Sequence, residues 1–296
     1  MESNFILKRP AREQGTAVTS KGAYQVRALE RALNILSLFS VSVPELSLSD
    51  IAEQTGIAKS TTFRLVSVLT DYGFLERIPD TERYRIGIRA FEIGSIYIQS
   101  TSVEQEARPF LARLAAECNQ TANLGVLNDG QVVHIAVVPP DRVIRYYAAV
   151  GDRVDSHCTG LGKALICDFS DEQLAELAER HPLVSYTRRT ITSLDILRAH
   201  LKEVQEQGYA IDDEESFIGL RCVAAPIRND KGEIVAAISV SGPSAEFGES
   251  ALPSIIDAVV LAARGVSARL GYGVVADRLD SAANVAQAPA ADDFSA

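Results

Sequence analysis

The sequence predicts an α+β fold class in two parts: a small helical N-terminal domain and a larger C-terminal α/β domain with a mainly antiparallel sheet, joined by a linker helix. Three observations carry this expectation. Apolar residues recur with helical spacing from residue 29 to residue 69 and then give way to short extended runs around a Pro-Asp turn. Beyond residue 105, helical stretches interchange with β-rich runs joined by tight turns. Between them, residues 88–101 are more apolar than one small partner would cover. A length of 296 residues suits two modest domains, and 47% hydrophobic with 23% charged residues excludes wholesale disorder.

Residues 1–23 mix charged, Ser, Thr and Gly residues without an apolar period and read as a disordered, mildly basic tail. In the domain expected over 24–87, Leu29, Ala32, Leu33 and Leu36 share one face of a first helix that ends before Pro44. Ser47 can cap a second helix, with Asp50 three residues on; Leu48, Ile51, Ala52 and Thr55 form its inner face and Gly56 stops it. A third helix turns Thr62, Leu65, Val66 and Leu69 inward and ends at Gly73. Runs 75–78 and 84–86 bracket Pro79-Asp80-Thr81-Glu82, which predicts a two-stranded wing. The linker helix, 88–104, carries Phe91, Ile93, Ile96, Tyr97 and Ile98 and suits a dimer seam.

In the domain expected over 105–272, helices are placed at 107–118, 171–180, 195–207 and 250–269. Strands are placed at 122–127, 132–138, 143–149, 223–227 and 234–240. Turns such as Asn128-Asp129-Gly130 and Asn229-Asp230-Lys231-Gly232 make neighbouring strands antiparallel. Residues 273–296, Ala-rich with scattered aspartates, read as a second disordered tail.

The net charge of −10 argues against a protein that coats nucleic acid indiscriminately, because such binding rests on neutralising phosphates. The charge is uneven. Residues 1–88 carry 11 Lys/Arg against 10 Asp/Glu, and residues 89–296 carry 18 against 29, so the first part can approach a polyanion. Cys118, Cys158, Cys167 and Cys222 lack paired spacing and are expected to be reduced thiols. No run approaches the ~18 apolar residues of a membrane span, and Lys8, Arg9 and Arg12 follow a polar start unlike a secretory signal. A cytoplasmic protein without a membrane partner is expected.

Only Gly56-Ile57-Ala58 separates the second and third helices, a turn short enough to cross them at an angle and leave the later one projecting. The outward face of that helix holds Ser60, Phe63, Arg64 and Ser67, with Lys59 and Thr61 in its first turn. This composition suits the major groove of double-stranded DNA. Arg64 matches a guanine edge, Ser60 and Thr61 reach phosphates or bases, and Phe63 meets a thymine methyl. Arg77, Arg83 and Arg85 surround the wing tip, placed for the DNA backbone or the adjacent minor groove. A Ser/Thr-rich helix start is also ordinary capping, and Arg77 could equally pair with Glu76 or Glu82. The wing beside the helix-turn-helix favours the DNA reading, with a dimer on a palindromic operator.

The segment Leu48-Ser49-Asp50-Ile51-Ala52-Glu53-Gln54-Thr55-Gly56-Ile57-Ala58-Lys59-Ser60-Thr61-Thr62-Phe63-Arg64-Leu65 is followed by four more specific pieces after Gly151. These are Thr159-Gly160-Leu161-Gly162-Lys163-Ala164, Gly208-Tyr209-Ala210-Ile211-Asp212-Asp213-Glu214-Glu215, Gly219-Leu220-Arg221-Cys222-Val223-Ala224-Ala225-Pro226 and Ala237-Ile238-Ser239-Val240-Ser241-Gly242-Pro243. In their order and spacing, over roughly residues 24–272, the sequence resembles the IclR family of bacterial transcription regulators. His157-Cys158 and Asp155 depart from residues common in relatives, which bears on ligand identity. The resemblance implies a GAF/PAS-like effector-binding domain, a homodimer through the N-terminal half and linker helix, and a tetramer through the sensor halves. It also implies that Asp212, Cys222, Ser239 and Ser241 line a pocket for a small organic or aromatic acid, as in glyoxylate- or pyruvate-binding relatives. The Gly160-Leu161-Gly162 amides would hold the carboxylate.

Chemistry alone adds to this. Thr159-Gly160-Leu161-Gly162 just ahead of Lys163-Ala164-Leu165-Ile166 puts a glycine-permitted loop at a helix N-terminus, where unpaired amides favour an anion. Ser239 and Ser241, two apart on a strand, share a face and offer two hydroxyl donors. Asp212 would accept from a ligand hydroxyl or amine, and Cys222 would add a weak donor and a small apolar wall. The plainer readings are glycines that only shape a turn, serines bonded to backbone and a packed cysteine.

Enzyme signatures are missing from the sequence. Gly160-Leu161-Gly162-Lys163 lacks P-loop spacing, and Ala164 replaces the residue that would hold magnesium. There is no Gly-x-Ser-x-Gly elbow, and His134, His157, His181 and His200 lack zinc-helix spacing. The expectation is a ligand-responsive DNA-binding regulator, a repressor of a catabolic operon that senses a small organic or aromatic carboxylate and uses no metal or cofactor. The alternative is a small-molecule-binding enzyme or carrier with an N-terminal interaction module. A third reading is an architectural DNA binder without effector response.

Overall fold

The computed structural model describes residues 26–40, 43–100, 102–142 and 148–273, with backbone alone at 95, 97–100 and 102. The expected tail at 1–23, residues 274–296 of the tail expected over 273–296, residues 143–147 of an expected strand, and the side chains of Tyr97 and Ile98 lie outside the described residues. The chain divides into two compact units, one up to Glu92 and one from Ile93. Among the described residues no helix is long and apolar enough to cross a membrane.

The first unit holds helices α1 (Arg27–Leu36), α2 (Leu48–Thr55) and α3 (Lys59–Asp71) with strands β1 (Leu46–Ser47), β2 (Leu75–Arg77) and β3 (Arg83–Ile86). The cap of α2 is reciprocal: the Asp50 amide donates to Ser47 Oγ at 3.2 Å and the Ser47 amide to Asp50 Oδ2 at 2.9 Å. Gly56 ends the helix in the left-handed region at φ +66°, a conformation that other L-residues resist. Ile35, Leu46, Ile51, Val66, Leu69 and Leu75 form the core. Helix α1 departs in part from the expected face: Ala32 and Leu36 pack against the core as expected, but the other two residues do not. Leu29 and Leu33 are 57% and 54% exposed, whereas Ile35 is fully buried. The helix is apolar on more than one side, so periodicity alone does not choose which side meets α3. The wing is also larger than expected, because β1 adds a third strand through Leu46↔Tyr84 and Ser47↔Arg83. Two residues before a cap are too few to show alternation. Helix α4 (Ile88–Ser100) spans the division between the units.

The second unit is one six-stranded sheet with helices on both faces. Its strands are β4 (Thr121–Asn128), β5 (Gln131–Val138), β6 (Arg153–Asp155), β7 (Ala210–Asp213), β8 (Leu220–Arg228) and β9 (Ile234–Pro243), ordered β6-β5-β4-β9-β8-β7 with every pairing antiparallel. The β4–β5 hairpin turns through Asp129 and Gly130, both at positive φ, as the Asn-Asp-Gly sequence predicts. Helices α5 (Ser102–Cys118) and α9 (Leu252–Arg269) cover one face; Leu111, Leu114, Val259 and Val266 pack with Leu124, Val223, Ile238 and Val240 there. Helix α6 (Gly160–Ile166) covers the other, packing Leu161, Ala164 and Leu165 with Ala210, Ala224 and Ala237. Leu174 and Leu177 of α7 (Asp171–Arg180), with Leu197, Leu201 and Val204 of α8 (Leu194–Gln207), complete that core. Of the expected strand at 143–149, the described residues Ala148 and Ala149 are in no strand. Strands β6 and β7, three and four residues long, carry too little alternation to be read from sequence.

Candidate nucleic-acid interface and effector site

Helix α3 begins at an uncapped residue, and this decides what its hydroxyls are doing. Ala58 is the N-cap, its carbonyl accepting from the Thr61 and Thr62 amides at 2.8 and 2.9 Å. Thr62 Oγ1 turns inward to the carbonyls of Ile57 and Ala58, each at 3.3 Å. Ser60 and Thr61 are therefore not capping residues, and among the described residues no hydrogen bond takes their hydroxyls. Lys59, Ser60, Phe63 and Arg64 are exposed, Phe63 by 54%, while Thr61 and Ser67 are half-buried. An exposed phenylalanine beside an arginine without an ion pair among the described residues is a surface built for contact.

The wing arginines are exposed but occupied. Arg85 pairs with Glu76, its register partner across β2 and β3. Arg83 donates from Nη2 to the Glu45 carbonyl at 3.1 Å and lies 3.7 Å from its carboxylate. Arg77 donates to the Thr81 carbonyl at 3.3 Å instead of pairing with Glu76 or Glu82. Such half-exposed contacts contribute little to stability.

In the second unit the sheet register assembles the expected polar residues in two rows. Asp212, Cys222, Ser241 and Thr121 lie side by side across β7, β8, β9 and β4, and Ala224, Ser239 and Asn123 form the next row. Period-2 alternation turns all of them to the face covered by α6. The helix begins earlier than expected: Thr159 is its N-cap, accepting from the Gly162 amide at 3.2 Å, so Gly160, Leu161 and Gly162 form its first turn and no loop precedes Lys163. The glycines allow close approach. A Cβ on Gly162 would stand 2.2 Å from Ser156 Cα, and one on Gly160 would stand 2.9 Å from Cys222 Sγ. Among the described residues no hydrogen bond takes the Gly160 and Leu161 amides, which the cap leaves over.

Four participants, Lys163, Glu215, Asn123 and Ser216, were not among the site residues expected from the sequence. Lys163, with no exposed surface, donates from Nζ to the Ile211 carbonyl at 2.5 Å and pairs with the buried Glu215 carboxylate. Asn123 donates to Ser239 and Ser241. Ser216 donates its hydroxyl to Asp212 at 2.5 Å, and Asp212 Oδ1 takes the amides of Glu215 and Ser216 at 2.7 and 3.3 Å. Burial pushes the Asp212 and Glu215 carboxyls up, while the Lys163 ammonium draws both back down. The signal for Asn123 was available: Thr121, Asn123 and Gly125 alternate with Ala122, Leu124 and Val126.

Burial raises the Cys222 thiol to about 11, Cys118 to about 11 and Cys167 to about 12, so these three stay protonated at neutral pH. His157 Nε2 lies 3.0 Å from the Val184 carbonyl, and Cys158 Sγ donates to the Asp155 carbonyl at 3.9 Å. Tyr186 donates its hydroxyl to the Asp155 carboxylate.

Comparison with known proteins agrees with this architecture. A family model described as "IclR helix-turn-helix domain" matches residues 28–79, and one described as "Bacterial transcriptional regulator IclR C-terminal" matches residues 95–268. The transcriptional repressor IclR of Escherichia coli is 34% identical over 257 residues, 86% of this chain and 93% of that protein. Among solved structures, the IclR of Thermotoga maritima superposes with a TM-score of 0.69 at 29% identity, covering 84% of this chain and 100% of that one. An IclR homolog from Microbacterium hydrocarbonoxydans, complexed with 4-hydroxybenzoate, gives 0.73 at 25% identity over 82% and 98%. With both family models matched and the helix-turn-helix and antiparallel-sheet units in place, the chain belongs to the IclR family of bacterial transcription regulators, DNA-binding proteins that respond to small molecules and are not enzymes.

Proposed function

We propose that this chain is a cytoplasmic repressor that lays α3 in the major groove of a palindromic operator as a homodimer, and that a small carboxylate on the sheet face beneath α6 changes its operator affinity. The observation that carries the DNA-reading half is the exposure of Ser60, Phe63 and Arg64 on a helix whose cap uses none of them. Arg64 reads a base edge, Ser67 and Thr61 adjoin it, Lys59 supports the backbone, and Arg77, Arg83 and Arg85 exchange their surface contacts for phosphates. Residues 24–87 are the DNA-binding domain, 88–104 the linker that carries the coupling, and 105–272 the effector-binding domain.

The unsatisfied amides of Gly160 and Leu161 and the hydroxyls of Ser239 and Ser241 supply donors for a carboxylate, with Cys222 as a small wall. Asp212, whose oxygens are taken by Glu215 and Ser216, shapes the adjoining loop. The 4-hydroxybenzoate held by the Microbacterium homolog supports an acid as the ligand. Exposed Leu29 and Leu33 on α1 and Ile88 and Phe91 on α4 support dimerisation, and exposed Ile196, Ile218 and Leu261 support pairing of dimers into a tetramer.

The test is Arg64→Ala against duplexes selected from a random pool by the wild type. Affinity falls roughly tenfold or more and base preference relaxes at one position of each half-site, read by fluorescence anisotropy. Unchanged affinity and preference would show that α3 does not read the duplex.

A further inference from the structure

Asn123 is buried on β4, opposite Ser239 of β9, and faces the α6 side of the sheet. Its Nδ2 lies 3.2 Å from the Thr121 carbonyl, 3.3 Å from Ser239 Oγ and 3.2 Å from Ser241 Oγ. Its Oδ1 has no hydrogen-bond partner among the described residues. The Thr121 carbonyl can only accept, so the amide orientation is fixed: turned over, it would set two carbonyl oxygens 3.2 Å apart. Asn123 therefore donates, one amide proton to the Thr121 carbonyl and the other shared between the two serine oxygens, which accept. A hydroxyl that accepts keeps its own proton for another partner, and the neighbour of both, the Cys222 sulfur, is a weak acceptor. A buried carbonyl oxygen is seldom left unpaired in a finished site. The face thus presents two hydroxyl donors and, beside them, one unmet acceptor.

We propose that Asn123 sets effector specificity, holding Ser239 and Ser241 as donors toward a carboxylate while its own Oδ1 accepts from a hydroxyl of the same ligand. This rests on the reading of this sheet face as the effector site. The nitrogen and oxygen of a carboxamide are about 2.2 Å apart, as its bond lengths dictate, so a hydroxyl at Oδ1 stands close to the serine pair, and an acid with its hydroxyl on the adjacent carbon is the smallest ligand that reaches both. The ligand class is a 2-hydroxycarboxylate. Asp212 already accepts three hydrogen bonds from Glu215 and Ser216, whereas Asn123 Oδ1 accepts none among the described residues.

The experiment titrates the full-length chain calorimetrically with matched acids: glycolate against acetate, lactate against propionate, mandelate against phenylacetate, and 4-hydroxybenzoate against benzoate. At least one 2-hydroxy acid binds, roughly tenfold or more tightly than its deoxy partner, because the partner leaves Oδ1 unpaired. Asn123→Leu binds both members alike. Asn123→Asp, whose carboxylate takes the serine protons and repels an anion, binds neither. Thermal unfolding checks that each variant is folded, and the wild-type ratio decides the matter where a variant is not. Equal binding within every pair, binding confined to acids without an adjacent hydroxyl, or a preference kept by folded Asn123→Leu overturns the role of Asn123 and leaves carboxylate sensing intact. Binding of no acid overturns both.

Discussion

Lys163 sits in the last turn of the short, otherwise apolar helix α6 with its ammonium held between a carbonyl and Glu215. Removing one partner of such a buried pair leaves an uncompensated charge, so Lys163→Met is expected to destabilise the chain by about 3–5 kcal/mol in urea unfolding. Restoring neutrality with Lys163→Met/Glu215→Leu should recover most of that loss. His200, on α8, gives a pH signature. Burial lowers its pKa below 6.5, the Lys163 charge lowers it further, and Glu203 at 3.8 Å pulls the other way. The unfolded chain therefore takes the proton first, and stability present above about pH 6.5 is lost as pH falls toward the depressed folded value. Asp212 and Glu215, pushed up by burial, act in the opposite sense. A comparison of variants isolates the histidine: the Tm of the wild type should fall more between pH 7 and pH 5.5 than that of His200→Gln. Asn123 was visible in the sequence as the polar member of an alternating run. Lys163 and Glu215 were not, because nothing in sequence spacing ties a helix to a loop 52 residues away.

Elements with strong local chemistry were legible. The Ser47–Asp50 box, the Gly56 stop, the Asn128-Asp129-Gly130 turn and helices α7, α8 and α9 follow from caps, turn residues and period, all of which act within a few residues. Elements defined by tertiary pairing were not. Strands β1, β6 and β7 exist because a longer neighbour completes their hydrogen bonds, and the start of α6 at Gly160 depends on β8 approaching where a side chain would stand. Half of the α1 face was missed for the same reason, since packing keeps Ala32 and Leu36 at the core but selects Ile35 over Leu29 and Leu33. The α2 cap offers a test at this scale. Ser47→Ala removes one hydrogen bond of the box and should cost about 1 kcal/mol, read as a lowered midpoint of the N-terminal unit in urea. A loss within error would mean that the strand pairing of Ser47 with Arg83, not the cap, fixes this end of the helix.

On the scale of the molecule, the two units have separate cores and opposite characters. The first is nearly neutral and presents arginines on a helix and wing, and the second carries the acidity and buries its polar groups between sheet and α6. A ligand on the second can change DNA binding by the first only as far as it binds the two functional states unequally. Regulation by a ligand is therefore a linkage between the two sites. The most direct measurement is the anisotropy-derived Kd for a selected operator duplex, with and without a saturating acid already shown to bind. The wild type should shift roughly fivefold or more and Ser239→Ala/Ser241→Ala not at all; a wild-type Kd that stays the same with the acid bound would mean that the two sites are not coupled.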